Sequence, residues 1–288
     1  METTHELRLV ITSSCNYNCY FCHKEGCDYS KQSLVPKDYQ YTAKILKDLL
    51  GWHTLTITGG EPLLHPDYRQ ICKLLKESGL RITTVTNLSL LSNPEVLAYN
   101  DQINISLHSM DAEVYKKITG SKIPVSQIIG KIKAIRTNLP ILDLHLNATI
   151  IRNKNDDIKS MENLVQFATK IDAKAKFIDL ASENTKEVVP YEEIKAKVSK
   201  MGFEKASEEE WQSSYKRDAD HVIITKCGFS KQNIEHSNEY RNLFLYSDGN
   251  FKYDKKIESL DLLKEIKKQD TNTIVNSIKK FLPPAKNI

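Results

Sequence analysis

The stretch Cys15-Asn16-Tyr17-Asn18-Cys19-Tyr20-Phe21-Cys22 carries three thiols, with three and then two residues between them, directly after the apolar run Leu7–Thr12. Three thiolates can hold three corners of a cubane [4Fe–4S] cluster, whereas a purely structural cluster normally takes four. The fourth iron is then open to a substrate or cofactor. The same thiols could instead bind zinc with His23 as fourth ligand, although structural zinc sites usually come as two knuckles and the sequence has no second pair.

The bulk composition narrows the setting. A chain of 288 residues with 40% hydrophobic and 27% charged residues has material for a proper core, as one α/β barrel or two domains. Its net charge of +4 is spread over 41 basic and 37 acidic residues, and no lysine or arginine run is dense. Neither a nucleic-acid nor a membrane partner is expected. With no signal peptide and no apolar stretch near about 18 residues, the expected location is cytoplasmic. Six cysteines, three of them crowded together, then point to metal ligation in a reducing compartment rather than to disulfides.

The first 180 residues alternate β-like runs with amphipathic helical stretches. Strands are expected at Leu7–Thr12, Thr54–Thr58, Arg81–Thr86, Ile103–Leu107, Leu142–Ile150 and Lys174–Leu180. Helices are expected at Pro36–Leu50, Pro66–Ser78, Pro94–Tyr99, Ala112–Lys117 with Ser126–Asn138, and Asp156–Ile171. Asn93 before Pro94 reads as an N-cap with proline at the first helical position. Six β/α alternations imply an α/β fold with a parallel sheet, two units short of an eightfold barrel. The expected architecture is a partial (β/α)6 barrel over residues 1–182, with a small α+β extension over 183–288 capping its mouth. In that extension Tyr191–Lys200 reads as a helix, Ser207–Asp218 as a charged stretch, and His221–Thr225 and Arg241–Tyr246 as β-like runs. Asp248-Gly249, leading into Asn250–Tyr253, signals a hairpin, and helices at Ser259–Lys267 and Thr273–Phe281 close the chain.

At the end of the second strand stands Thr58-Gly59-Gly60-Glu61-Pro62. Glycines there let backbone approach a ligand closely, and a carboxylate can pair with an ammonium. The segment could equally be a plain strand-to-helix turn. CNYNCYFC and TGGEP together, over about residues 4–180, resemble the two-part mark of radical S-adenosylmethionine (SAM) enzymes. The resemblance implies a cluster on Cys15, Cys19 and Cys22, with SAM chelating the open iron. Reductive cleavage of SAM would then give a 5′-deoxyadenosyl radical that abstracts hydrogen from substrate. Val85-Thr86-Asn87, Ile105–Ser109 and Leu146–Asn153 resemble strand-end segments of the subgroup containing the molybdenum-cofactor GTP cyclase. The resemblance therefore implies Phe21, Gly59, Gly60, Glu61, Pro62, Thr86, Ser106, Asn147 and Arg152 as SAM or cluster contacts. His108 stands where that subgroup usually has Asp, and receives no role.

The resemblance to the cyclase ends in the C-terminal region. Its second cluster needs cysteines where Ser237, Tyr240 and Asp254 stand, and two phosphate-binding arginines are replaced by Asn242 and Phe244. GTP cyclisation is therefore not expected, because a polyanion needs several fixed cations. Arg8, Lys176 and Arg241 remain as candidates to hold a phosphate or carboxylate of a smaller substrate; Arg8 and Lys176 could equally be rim salt-bridge residues. Cys227 is a candidate hydrogen donor to a substrate radical, with an inert thiol as the alternative; Cys27 shares that ambiguity, and Cys72 reads as a small core residue. The expected function is single-cluster radical SAM chemistry on a small polar molecule: a nucleotide, nucleoside or sugar derivative. The reaction could be epimerisation, rearrangement, dehydration or decarboxylation, with an electron donor such as flavodoxin or ferredoxin. A peptide-modifying radical SAM enzyme and a non-enzymatic metal-binding protein are the alternatives.

Overall fold

A computed structural model describes residues 6–25, 33–237, 241–254 and 258–283. Cys27 and Tyr240 lie outside the described residues. The strands are β1 (Glu6–Val10), β2 (Thr54–Thr58), β3 (Arg81–Thr86), β4 (Gln102–Ser106), β5 (Asp143–Ile150), β6 (Lys174–Asp179), β7 (Glu204–Glu208), β8 (Gln212–Arg217), β9 (Asp220–Thr225), β10 (Asn242–Tyr246), β11 (Asn250–Tyr253) and β12 (Leu260–Asp261). The helices are α1 (Pro36–Leu50), α2 (Tyr68–Glu77), α3 (Ala112–Thr119), α4 (Val125–Asn138), α5 (Ile158–Lys170), α6 (Tyr191–Lys200), α7 (Lys231–Glu235), α8 (Leu263–Lys268) and α9 (Thr271–Phe281). Two short 3-10 turns complete the described elements: Pro62–Leu64, ahead of α2, and Pro94–Leu97, where the helix Pro94–Tyr99 is expected. Asn93 caps the second of them through its side-chain oxygen, which accepts from the Glu95 N–H at 3.0 Å.

The chain divides into two compact units. One comprises Met1–Ser14, Lys24–Thr83 and Asn238–Ile288; the other comprises Cys15–His23 and Thr84–Ser237. The division falls on either side of the Cys15–His23 segment, inside β3 and after Ser237.

In the first unit the strand order is β12-β11-β10-β1-β2. The β10–β11 hairpin turns at Gly249, in the left-handed region at φ 89°. It does not stand apart: β10 pairs in parallel with β1 from Glu6↔Asn242 to Val10↔Tyr246. Leu7, Leu9, Leu55 and Ile57 form one face, all at most 3% exposed. Helices α1 and α2 bury Ile45 and Leu46, and Ile71 and Leu75, at helical spacing. Each such side chain contributes roughly 1.5–3 kcal/mol on leaving water. Cys72 is wholly buried in α2, a core position as its neighbours suggest.

The second unit orders its strands β4-β5-β6-β9-β8-β7, with β4, β5, β6 and β9 parallel. Leu144, Leu146, Ala148 and Ile150 alternate with His145, Asn147 and Thr149, so β5 presents one apolar and one polar face. Both faces are buried, as parallel strands require. Helices α4 and α5 bury Ile128, Ile132 and Ile135, and Leu164 and Val165. The stretch Ser207–Asp218, read only as charged, holds the end of β7 and all of β8, which pair antiparallel. Its signal is a period-two row of Trp211, Ser213 and Tyr215, all buried.

Gly60 is fixed by sterics: a Cβ there would stand 2.1 Å from the Ser14 carbonyl oxygen, which is backbone and cannot swing aside. Gly60→Ala is expected to destabilise the chain by about 2 kcal/mol or more. Gly51, at φ 70° with nothing within 4 Å of its Cβ position, bears only backbone strain. Gly51→Ala should cost about 1 kcal/mol. Chemical denaturation midpoints of the two variants check the order.

Candidate active site

The cysteine segment is held by its other residues. Within the second unit, the Asn16 amide donates to Ser89 Oγ at 2.8 Å, and the Asn87 amide donates to Asn16 Oδ1 at 3.0 Å. The Asn18 N–H donates to the Thr119 carbonyl at 3.2 Å, and the Tyr17 and Tyr115 hydroxyls meet at 3.1 Å. Lys154 Nζ lies 3.9 Å above the Tyr20 ring. Phe21 packs on the cluster of Ile118, Ile151 and Leu180, and its ring meets that of His108 edge-on at 5.0 Å. Phe21 thus packs against apolar side chains of the protein itself.

The thiols are what this anchoring leaves outward. Cys15 and Cys22 are exposed and Cys19 is half-buried. Burial pushes the Cys19 thiol up to about 12, and the nearby Cys22 and Cys15 add to the shift. Three neighbouring thiols, two of them exposed, suit a cluster that takes one thiolate on each of three irons. Among the described residues, no three His, Cys, Asp or Glu converge on a single ion. His23, the fourth ligand of the zinc reading, instead puts Nε2 3.5 Å from Cys227 Sγ and stacks on Phe229 at 4.9 Å.

In the first unit, TGGEP makes contacts within the protein. The Gly60 N–H donates to the Thr12 carbonyl and the Glu61 N–H to the Ser14 carbonyl, both at 2.8 Å. A Cβ on Gly59 would meet the Thr12 oxygen at 2.4 Å. The glycines thus admit the backbone that leads into Cys15. Glu61, 1% exposed, accepts from the Leu63 N–H at 3.1 Å and caps the 3-10 turn that Pro62 opens.

The remaining candidates are placed as follows. Thr86 Oγ1 accepts from the Leu88 N–H at 2.9 Å. Arg152 forks onto Glu193 at 3.1 and 2.7 Å and donates to the Val188 carbonyl. Arg8 donates to Glu25 at 2.8 and 3.2 Å and to Glu6 at 3.1 Å, so two internal carboxylates take up its guanidinium. Arg241 and Asn242 present their backbone N–H groups to Asp254. Asp254, at a position where the cyclase has a cluster cysteine, is here a backbone acceptor. Cys227 is 6% exposed; its N–H donates to Asp179 Oδ1, and Asn233 Nδ2 bridges Asp179 Oδ2 and the Cys227 carbonyl at 3.0 and 3.1 Å.

Ser106, Asn147 and Lys176 share the polar face of the second unit, in register across β4, β5 and β6. Toward the strand starts Lys174 and His145 both bond Asp143, at 2.8 and 3.2 Å, while His221 Nε2 near the start of β9 is buried without a partner. Further along, Asn147 Oδ1 and Thr225 Oγ1 are buried without a partner, on residues 8% and 4% exposed. Thr225 lies opposite Ile178 on β9. Sequence reasoning passed over Thr225 and His221. The register of β9 beside β6 was the missing signal. Ligands of parallel α/β sheets bind at the carboxyl ends of the strands, where Thr225 stands.

Comparisons with known proteins agree with this architecture. Residues 9–167 match the family model for the radical SAM superfamily. A probable GTP 3',8-cyclase of Sulfurisphaera tokodaii is 35% identical over 58% of the chain, and one of Pyrobaculum aerophilum is 36% identical over 62%. The chain spans only 53% and 58% of those relatives' lengths. Streptococcus suis SuiB bound to S-adenosylmethionine aligns with a TM-score of 0.67 at 15% identity, covering 90% of this chain and 61% of that one. The structure of native anSMEcpe with bound AdoMet aligns at 0.62 and 13% identity, covering 98% of this chain and 84% of that one. These likenesses show the fold: α/β, of the partial-barrel type with a parallel-rich sheet.

His108 is 7% exposed, and its Nδ1 accepts from the Thr149 N–H at 3.2 Å. Burial lowers its pKa to about 4. Above the unfolded value of about 6.5 both states are neutral and the residue adds no pH dependence. Below it the unfolded imidazole takes a proton that the folded one refuses, so stability falls as pH drops from about 6.5 toward 4, by about 3 kcal/mol at most. Urea denaturation across that range should show His108→Asn flattening the loss, since an amide oxygen can still accept from Thr149.

Proposed function

We propose a substrate class for this chain on one premise: it belongs to the radical SAM superfamily. It is an enzyme of that family, whose cofactors are a [4Fe–4S] cluster and S-adenosylmethionine. Bound together, the pair supplies hydrogen abstraction from a substrate carbon. Cys15, Cys19 and Cys22 would hold the cluster. In the second unit, Thr86, Ser106 and Asn147 would face SAM; Arg152 would first have to leave Glu193. An external one-electron donor such as flavodoxin or ferredoxin would be the partner. Among the described residues no helix is long and apolar enough to cross a membrane.

The proposed substrate is a small polar molecule: a nucleotide, nucleoside or sugar derivative. One observation carries this reading, the polar face of the second unit with buried Asn147 Oδ1 and Thr225 Oγ1 lacking partners toward the carboxyl ends of the strands. Buried polar atoms left unmatched are destabilising, and a ligand bearing hydroxyl or amino groups would satisfy them. Lys176, on the same face, would take one acidic or carbonyl oxygen. The named activity of the relatives, on a nucleotide, supports the class. A triphosphate fits less well, because Arg8 is occupied by Glu6 and Glu25. Cys227 would donate hydrogen to the substrate radical in an epimerisation; rearrangement, dehydration and decarboxylation would not require it.

Anaerobic protein incubated with SAM, reductant and panels of nucleotides, nucleosides and sugar derivatives should form 5′-deoxyadenosine above the substrate-free blank. Replacing Cys15, Cys19 and Cys22 with alanine should abolish it. Thr225→Val removes one buried hydroxyl, and is expected to lower kcat/KM about tenfold while leaving the blank unchanged. Deoxyadenosine at blank level with every panel would overturn the substrate class.

A further inference from the structure

The ten residues Cys15–Lys24 leave and rejoin the same pair of strands. At the outgoing end, the Ile11 N–H donates to the Thr58 carbonyl at 3.1 Å, and Gly60 and Glu61 donate to the Thr12 and Ser14 carbonyls. At the returning end stands Glu25, three residues past Cys22. Its carboxylate receives Arg8 Nε at 2.8 Å and Arg8 Nη2 at 3.2 Å, a two-pronged contact, and Thr58 Oγ1 at 3.3 Å. Arg8 sits on β1 and Thr58 on β2, whose neighbouring backbone ties the outgoing end. The Arg8 and Glu25 side chains are 13% and 12% exposed. Glu6 holds the third prong, Arg8 Nη1, at 3.1 Å, and also receives the Thr56 hydroxyl.

We propose that the Arg8–Glu25 fork is a positioning device for the cysteine loop. It fixes the loop's returning end on β1 and β2 before any cluster arrives. A planar guanidinium and a carboxylate meet in one geometry, so the fork sets direction as well as distance. With both ends fixed, the three thiols need little further ordering when the iron binds, and less of the binding free energy goes into closing the loop. Glu6 gives an internal comparison. It touches the same guanidinium but lies on β1, so it can steady Arg8 without holding the loop. Arg8 is then a residue of the cofactor's scaffold, and the substrate meets other groups.

The assignment rests on the cluster reading, and the test separates the two. Glu25→Ala and the milder Glu25→Gln are compared with Glu6→Gln. In the metal-free chain, amide hydrogen exchange at the loop's returning end, residues 22–25, should speed up about tenfold in Glu25→Ala, with β1 and β2 unchanged. After anaerobic reconstitution, the Glu25 variants should retain roughly half or less of the wild-type iron per chain, with Glu6→Gln at the wild-type level. Unchanged loop exchange in Glu25→Ala, or equal iron loss in Glu6→Gln, overturns the proposal. If β1 and β2 also exchange faster, Glu25→Ala has unsettled the sheet and Glu25→Gln decides by the same two readings. A wild-type chain that takes up no four-iron cluster sinks the cofactor reading, while the exchange comparison still decides the fork.

Discussion

Everything chemical in this chain hangs from a backbone-to-backbone contact. Thr12–Ser14 and Gly59–Glu61 lie so close that a side chain on either glycine would overlap a carbonyl oxygen. Hydrogen bonds at 2.8 Å from Gly60 and Glu61 then fix where the chain stands one residue before Cys15. On the Thr12–Ser14 side the contact uses backbone carbonyls, with the Thr12 hydroxyl accepting from the Ser14 N–H at 3.2 Å. It makes an absolute demand on the glycines. A short motif on one strand thereby governs a segment more than forty residues earlier in the sequence.

Division of labour inside CNYNCYFC follows from the same economy. Asn16, Tyr17, Asn18, Tyr20 and Phe21 each have a protein partner: an amide, a hydroxyl, a carbonyl, a lysine, an apolar cluster. The cysteines make lighter contacts: Cys15 Sγ accepts from the Tyr17 N–H at 3.4 Å, and the Cys22 N–H donates to the Cys19 carbonyl at 3.0 Å. A loop whose spacers do the packing can leave its thiols facing out without losing its shape. Soft, neighbouring thiols, two of them exposed, are poor core material and good ligands.

Much of this was legible in the sequence because strand ends and apolar alternation are local. Strands at Thr54–Thr58 and Arg81–Thr86 and helices at Pro36–Leu50 and Tyr191–Lys200 coincide with their expected bounds. What escaped was pairing between distant segments. The β10 strand lies in parallel beside β1, and β9 beside β6, though nothing in either short run specifies its neighbour. The β7–β8 pair was hidden by charge, because β7 is exposed at every position and only alternate residues near β8 turn inward. Arg8 and Arg152 show the limit for sites. Sequence supplies a cation on a strand end, but whether its fork faces a ligand or an internal carboxylate depends on Glu25 and Glu193, which no local rule connects to them.

The pattern of internal pairing also bears on what kind of molecule the proposed site can take. Where recognition of a polyphosphate calls for several fixed cations, the first unit has turned its polar groups on one another. Glu6 and Glu25 take up Arg8, and Asp254 collects the backbone N–H groups of Arg241 and Asn242. The second unit differs. In its lower polar row His145 and Lys174 bond Asp143, while Asn147 and Thr225 further along keep acceptors that no protein group meets. A buried acceptor discriminates strongly, since a ligand lacking the matching donor leaves it unpaired in a dry setting. Selectivity built this way reads hydroxyl and amino positions instead of total charge. It suits a hydroxylated substrate of modest charge, held by geometry where a GTP-like anion would be held by cations.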